Sequence, residues 1–336
     1  MKLRIVLLVV LGVLLSVMPV VHAQDDVFRV AAVAPSATND LAFSQSMFDA
    51  LTLIKEEMGD AFDFTFQEGT FIVDDAAVAL RDWASSGDYD LIIAHGSQYG
   101  SIIEELAPEF PDVSFAWGTD VNTFGLDNVY AYTAEAEQGG FINGALAAGL
   151  TESGVIGVVG PIEVGDAKAY IDGFKSGVAY VDPDIQVLVT YIQSFSDVPL
   201  ATEAAAAHVA NGADVLTGTA QMVVGPIAVA QENEIPWFGT QSSQAELAAD
   251  SGVAFQVYHW EVVLTQMIEN IQNGTLGGTS YSLNLANGGE VIELSPSLDA
   301  DTAATLQEAI DTLSADIQAD MVQVLPTVEA TAEAGS

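Results

Sequence analysis

Short apolar runs rich in β-branched residues alternate along the chain with longer stretches whose apolar residues recur at helical spacing. Several runs, such as 91–94, are apolar without interruption, as expected for strands covered on both faces. This alternation predicts an α/β protein with parallel sheets and right-handed crossovers. The predicted strands are Val27–Pro35, Asp63–Gly69, Asp90–Gly96, Val113–Thr119, Val129–Thr133, Gly154–Pro161, Gln186–Ser194, Ala213–Thr219, Pro236–Gln241 and Val253–Tyr258.

Three helices are especially clear between and after these strands. The stretch 44–58 places its apolar side chains on one stripe and stops before Gly59. The stretch 74–86 begins with acidic residues, which favour a helix N-terminus, and stops before Gly87. The stretch 299–317 repeats leucine and isoleucine at helical spacing.

The number of strands predicts two lobes rather than one sheet. Ten strands exceed what one open twisted sheet usually holds, and a chain of 336 residues also suggests two units at about 150 residues each. We expect an N-terminal lobe from 24–136 plus about 259–278, and a C-terminal lobe from 137–258 plus about 279–320. The two lobes would be joined by a hinge of several crossing segments, and the small, polar tail 326–336 is expected to be disordered.

The N-terminal segment 1–23 has the layout of a secretory signal peptide. Lys2 and Arg4 precede the apolar run Ile5–Val21, and Val21-His22-Ala23 forms a small-x-small cleavage motif before Gln24. The alternative is an uncleaved membrane anchor, because the run approaches spanning length. We favour cleavage and expect a secreted or periplasmic protein.

Composition narrows the possible functions. The chain has 7 Lys and Arg against 47 Asp and Glu, a formal net charge of −40, which argues against nucleic-acid binding. It contains no cysteine, which excludes disulfides, thiolate metal sites and an N-terminal lipid-anchor cysteine. Because basic residues are so few, the expected ligand is neutral or cationic rather than anionic. We expect no cofactor and a monomer.

Polar residues and glycines follow most of the predicted strands. In open parallel sheets ligands bind at the carboxyl ends of the strands, so these positions predict a cleft that holds a small molecule. Asn39, Asp40 and Ser44 could instead cap a helix, Phe43 and Phe195 could belong to the core, and Trp117 and Trp260 could lie in the cleft or be buried. The candidate ligand contacts at strand ends are Asn39, Asp40, Gly96, Ser97, Trp117, Phe195, Thr219, Gln221 and Gln241.

Evidence for an enzyme is weak. His95, His208 and His259 show no metal-ligand spacing, and we expect no metal site. Gly96–Gly100 lacks the Gly-x-Ser-x-Gly spacing of a nucleophile elbow. A secreted nucleoside or glycoside hydrolase using Ser97 or an acidic pair is therefore only an alternative.

The order and spacing of several motifs resemble the basic membrane protein family of ABC-importer solute-binding proteins, whose best-known members are purine-nucleoside receptors. The first ligand loop of that family is similar to Asp40–Ser46, and the resemblance extends from about Val27 to Gly274. The other matching segments are Glu109–Phe115, Glu137–Ala148, Gly154–Pro161, Gly173–Gly177, Val181–Ile185 and Asn211–Val215.

The resemblance implies a type I periplasmic-binding-protein fold with two Rossmann-like lobes and a ligand between them. It implies that Phe43 stacks on a base, that Gln45 belongs to the ligand loop, and that Trp260 lies in a segment associated with purine-like bases. Thr240–Ser243 has no carboxylate where the family often has an aspartate. The expected partners are a small ligand, a purine nucleoside or nucleobase, and the membrane permease of an ABC importer. A sensory receptor on the same fold is the other alternative.

Overall fold

The computed structural model describes residues 27–325, in which two six-stranded sheets carry helices on their faces. The predicted signal peptide 1–23 and the tail 326–336 lie outside the described residues. The strands are β1 (Phe28–Val33), β2 (Phe62–Gln67), β3 (Leu91–His95), β4 (Ser114–Gly118), β5 (Val129–Ala134), β6 (Val155–Gly160), β7 (Gln186–Tyr191), β8 (Val215–Gly218), β9 (Trp237–Thr240), β10 (Gly252–Tyr258), β11 (Ser280–Leu283) and β12 (Glu290–Leu294). The helices are α1 (Phe43–Met58), α2 (Val73–Ser86), α3 (Gly100–Leu106), α4 (Glu137–Leu150), α5 (Gly165–Val181), α6 (Val198–Ala210), α7 (Val224–Glu232), α8 (Gln244–Leu247), α9 (Glu261–Gln272) and α10 (Ala300–Gln318).

The first sheet has the strand order β11-β5-β4-β3-β1-β2, and all its strands are parallel. The second has the order β12-β10-β9-β8-β6-β7 and is parallel except for β12, which runs antiparallel to β10. We call the sheets with their packed helices the first and second lobes. The predicted α/β architecture with two parallel sheets is confirmed.

The central strands are covered on both faces, as their sequences predict. All five residues of β3 are buried, because helices pack on each side of the first sheet. Helix α1 buries the stripe formed by Met47, Leu51 and Ile54 on one of these faces. Helix α2 ends before Gly87, whose left-handed conformation (φ 70°) is one that glycine adopts without steric cost.

The chain passes between the sheets three times. It crosses after Ala134 at the end of β5, after Tyr258 at the end of β10, and between β11 and β12. The lobe boundaries remain a prediction, with one revision. We expected residues from about 279 onward in the C-terminal lobe, but Ser280–Leu283 pairs in parallel with β5 of the first sheet.

Helices α4 and α5 of the second lobe pack closely because both contain glycines at their contact. A Cβ atom on Gly140 or Gly144 would overlap backbone carbonyl oxygens of α5. A Cβ on Gly173 or Gly177 would overlap those of α4. The glycine-containing segments Glu137–Ala148 and Gly173–Gly177 therefore have a packing role. No helix within residues 27–325 has both the length and the apolar character needed to cross a membrane.

Candidate ligand-binding site between the lobes

A cavity lies where the carboxyl ends of strands from the two sheets face each other. It has about 770 Å³ of empty space, part of it open to solvent. The first lobe contributes the loops after β1, β2, β3 and β4, and the second lobe those after β6, β7, β8 and β9 together with the end of β10. Predicted positions at strand ends therefore meet across one cleft.

Seven of the twelve sequence-predicted contacts line this cavity, and five do not. Both lobes contribute to the first group, so the structure brings together residues far apart in sequence. The lining residues among the candidates are Phe43, Gly96, Ser97, Phe195, Thr219, Gln221 and Gln241. The candidates outside the lining are Asn39, Asp40, Gln45, Trp117 and Trp260.

Asp40 stabilises the entrance to α1, as the capping interpretation predicts. Its carboxylate accepts hydrogen bonds from the backbone N–H groups of Ala42 (2.9 Å), Ser44 (3.2 Å) and Gln45 (3.1 Å). The Gln45 side chain accepts from the N–H of Leu41, and Asn39 is exposed. Asp40 and Gln45 therefore stabilise the segment before α1, and all three residues lie outside the cavity lining.

The two candidate tryptophans are buried rather than exposed in the cleft. Trp117 is 5% exposed and donates its indole N–H to the carbonyl of Asn122 at 2.7 Å. Trp260 is fully buried and donates to Ser46 Oγ at 2.9 Å. Its ring meets Phe43 edge-on with centroids 6.3 Å apart, so Trp260 supports a cavity residue from behind.

Phe43 is held in place by the buried residue His95. The two rings stack with centroids 3.8 Å apart and planes 11° apart. His95 Nε2–H donates to the Phe43 carbonyl (3.1 Å), so Nδ1 accepts from the Tyr132 hydroxyl (2.9 Å). Burial lowers the pKa of His95 to about 3, so the ring is neutral at physiological pH. Phe43 is therefore an aromatic surface fixed by its neighbours.

The two lobes contact each other directly across the cleft. Gln221 of the second lobe donates to Ser36 Oγ (2.9 Å) and to Asp40 Oδ2 (3.2 Å) of the first. Gln244 of the second lobe donates to the carbonyl of Leu41 at 3.1 Å. The structure thus shows the lobes in a closed arrangement.

Sequence reasoning missed several lining residues. Phe71 follows β2 and is 58% exposed, and its ring lies 6.4 Å from that of Phe195 in the opposite lobe. Gln98 and Thr119 also line the cavity, and both lie next to strand ends that the sequence analysis had identified as binding positions. Asp166 begins α5 after a loop, and Tyr258 ends β10. Asp166 follows β6, but the four-residue loop 161–164 and the first residue of α5 separate it from the strand end, so the sequence pattern did not single it out.

The lining is mostly neutral. Among the described residues that line the cavity, Asp166 is the only acidic side chain, and lysine, arginine and histidine are absent. Burial raises the pKa of the Asp166 carboxyl, whereas hydrogen bonds from Tyr258 and from backbone N–H groups lower it. Such a wall suits a flat, uncharged molecule that can stack and form hydrogen bonds. Across residues 27–325, no three His, Asp or Glu side chains are grouped closely enough to hold a metal ion.

Comparisons with known proteins agree with this geometry. The profile of a protein family described as ABC transporter substrate-binding protein PnrA-like matches residues 27–322. A purine-binding protein of Brucella abortus is 27% identical over 254 residues, which covers 76% of this chain and 71% of that relative. The transcriptional activator protein Med of Bacillus subtilis is 24% identical over 288 residues, covering 84% and 88%.

A solved structure shares the whole architecture. The ABC transporter solute-binding protein from Conexibacter woesei is similar with a TM-score of 0.76 and 25% identity, covering 89% of this chain and 98% of that one. The predicted periplasmic-binding-protein fold is confirmed by this likeness together with the two sheets.

Proposed function

Since the chain belongs to the PnrA-like family of ABC transporter substrate-binding proteins, we propose that it binds a purine nucleobase or nucleoside between its lobes. It then presents this ligand to the membrane permease of an ABC importer. The observation that carries the proposal is the interlobe cavity with Phe43 fixed against His95 on its wall. We also propose that the protein acts outside the cytoplasm, as expected for solute-binding proteins of this kind.

The chemistry of the wall favours a flat neutral ligand. Phe43 and Phe195 come from opposite lobes and offer aromatic faces for a heterocycle. Hydroxyl and amide groups around them, such as those of Ser97, Thr219 and Gln241, can bind the ring edge or a sugar. A purine matches both requirements, and the Brucella relative is named for purine binding.

Lobe closure is the proposed mechanism of binding. The three segments that cross between the sheets can act as a hinge, because few backbone torsions need to change there. A ligand that touches both lobes makes its full set of contacts only when they are closed. Binding therefore shifts the population toward the closed state by the free energy of these added contacts.

The family and the fold are those of solute-binding proteins rather than enzymes. The geometry around Ser97 also gives little support to the hydrolase alternative. The nearby His95 uses one ring nitrogen for the carbonyl of Phe43 and the other for the hydroxyl of Tyr132. His95 is therefore unable to act as the general base that a serine nucleophile needs.

A sensory receptor is the second candidate function. It is supported by the similarity to Med, which is named a transcriptional activator. Affinity purification of the full chain from its native membranes separates the two candidates. Transport predicts co-purification of a permease with an ABC ATPase, whereas sensing predicts a signalling partner instead.

A thermal-shift screen of the purified protein tests the ligand class. Purine nucleobases and nucleosides at 100 times the Kd should stabilise the fold by about 2.7 kcal/mol. Pyrimidines and simple sugars should give smaller shifts. The ligand class is wrong if no purine raises the melting temperature, or if sugars raise it more.

A further inference from the structure

Asp166 is the single acidic side chain among the described residues that line the cavity, and its position points to the kind of purine bound. We propose that Asp166, oriented by Tyr258, recognises an edge of the ligand with two adjacent N–H donors, so that guanine or its nucleoside is preferred. The inference rests on the proposed function and specifies the ligand of the same site.

The carboxylate is held from its own lobe and directed to the cavity wall. Asp166 lies in the first turn of α5 and borders the cavity together with Tyr258. Burial raises the pKa of its carboxyl, while the backbone N–H of Ala167 and the Tyr258 hydroxyl act in the opposite direction. A carboxylate has about four lone-pair positions, so acceptor capacity remains for a ligand. Tyr258 also lines the cavity and is 8% exposed.

No basic side chain in the described cavity lining compensates the charge of Asp166. Lys168, on the same helix, is paired with Asp172 and Glu163 outside the cavity. Burial without a cationic partner raises the pKa of Asp166. Donor groups of a bound ligand would satisfy this carboxylate in the closed state, which couples donor recognition to binding.

Gln221 supplies a second unsatisfied acceptor. Its Nε2 donates to the Asp40 carboxylate, which accepts only, so the orientation of the amide is fixed. Its Oε1 is buried and accepts no hydrogen bond from the described protein. The cavity lining therefore combines aromatic faces with the uncompensated carboxylate of Asp166, which favours a ligand with N–H donors.

The purine bases differ at the edge that a carboxylate can read. Guanine presents N1–H beside a 2-amino group, and both can be donated to one carboxylate. Hypoxanthine keeps N1–H but lacks the amino group, and adenine has an acceptor at N1. A site built to bind a donor rejects the analogue that lacks it, because its own polar group is then left unpaired.

The test compares binding of guanine, hypoxanthine and adenine by titration calorimetry. We expect the wild-type protein to bind guanine at least about tenfold more tightly than the other two bases. Asp166→Asn should reduce this preference to within about threefold, and Tyr258→Phe should reduce it partly. Asn keeps the shape of Asp and removes only the negative charge from the first turn of α5, which costs that helix little stability. A purely structural role of Asp166 would therefore leave the preference among the three bases unchanged.

Glu163→Gln is the matched control, because it removes one negative charge from the same loop outside the cavity lining. It should leave all three affinities unchanged. The inference is overturned if the wild type shows no preference for guanine, or if Asp166→Asn retains one, while purines still bind. Failure of the wild type to bind any purine overturns the proposed function itself.

Discussion

The side-chain amide of Gln221 in the second lobe donates a 3.2 Å hydrogen bond to the carboxylate of Asp40 in the first. The same amide also donates to Ser36 Oγ, while Asp40 holds the first turn of α1. One carboxylate thus connects the first turn of α1, which carries Phe43, to the opposite lobe. Asp40, a predicted ligand contact, lies outside the cavity lining and takes part in this interlobe contact.

Gln221→Ala should shift the ligand-free protein toward open lobes. Loss of one neutral and one charge-assisted hydrogen bond should cost the closed state about 1–3 kcal/mol, which changes the closed-to-open ratio about 5- to 150-fold. The radius of gyration from small-angle X-ray scattering should increase. Gln266→Ala is the control, since that exposed amide bonds only to its own helix. Equal radii for Gln221→Ala and wild type would contradict the role of this contact.

Phe43→Leu should weaken purine binding while the fold is retained. Stacking of a base on an aromatic ring contributes about 1–3 kcal/mol, so the Kd should rise about 5- to 150-fold. Phe48→Leu is the matched control, because Phe48 lies on the same helix but packs against Phe64 and Phe66 outside the cavity lining. An unchanged Kd for Phe43→Leu, measured by calorimetry, would remove Phe43 from the site.

Gly144→Ala should destabilise the second lobe. The added Cβ would overlap the carbonyl oxygen of Phe174, so α4 and α5 would have to separate at a cost of about 1–3 kcal/mol. Gly149→Ala on the same helix has no atom within 4 Å of the new Cβ and should stabilise by about 0.5–1 kcal/mol. Urea unfolding measures both values, and similar effects of the two substitutions would disprove the close-packing explanation.

His95 and His259 should titrate on opposite sides of the ordinary histidine pKa of 6.5. Burial lowers the pKa of His95 to about 3, whereas the hydrogen bond to Glu261 raises that of His259. Between pH 6.5 and 3 the unfolded state binds a proton at position 95 that the folded state excludes, so the contribution of His95 to stability decreases as the pH is lowered. For His259 the sign is reversed, and its contribution is lost as the pH rises above 6.5.

The NMR titration of the histidine ring protons measures both values. The resonances can be assigned with His95→Gln and His259→Gln. A His95 resonance that titrates near pH 6.5 would mean that the ring is hydrated, and it would contradict the fixed tautomer and the support of Phe43.

The fold was largely predictable because its central strands are recognisable from their own apolar sequences. All ten predicted strands overlap β1 to β10, since continuous apolar runs in a covered sheet need no partner to be recognised. β11 and β12 were missed because they are short and partly exposed. β11 forms because it pairs with β5, and β12 forms because it pairs with β10. These partners are distant in sequence or set by the tertiary fold, so a local pattern does not reveal the strands.

The site was predictable at the level of loops but not of side-chain directions. Gly96, Thr219 and Gln241 were predicted from their positions at the carboxyl ends of strands, and they line the cavity. The prediction works because the carboxyl ends of parallel strands lie at the same edge of a sheet. The inward orientation of Trp260, which donates a hydrogen bond to Ser46, was not predictable from its position in the sequence. It depends on the packing of α9 against α1.

Calorimetric titration of purines into protein that has been unfolded, freed of bound small molecules and refolded measures whether the interlobe cavity binds a purine. We expect one purine bound per chain, and loss of that binding when Phe43 and Phe195, which line the cavity from opposite lobes, are both replaced by alanine. The absence of any binding heat with purines, or unchanged binding by the folded double variant, would contradict it.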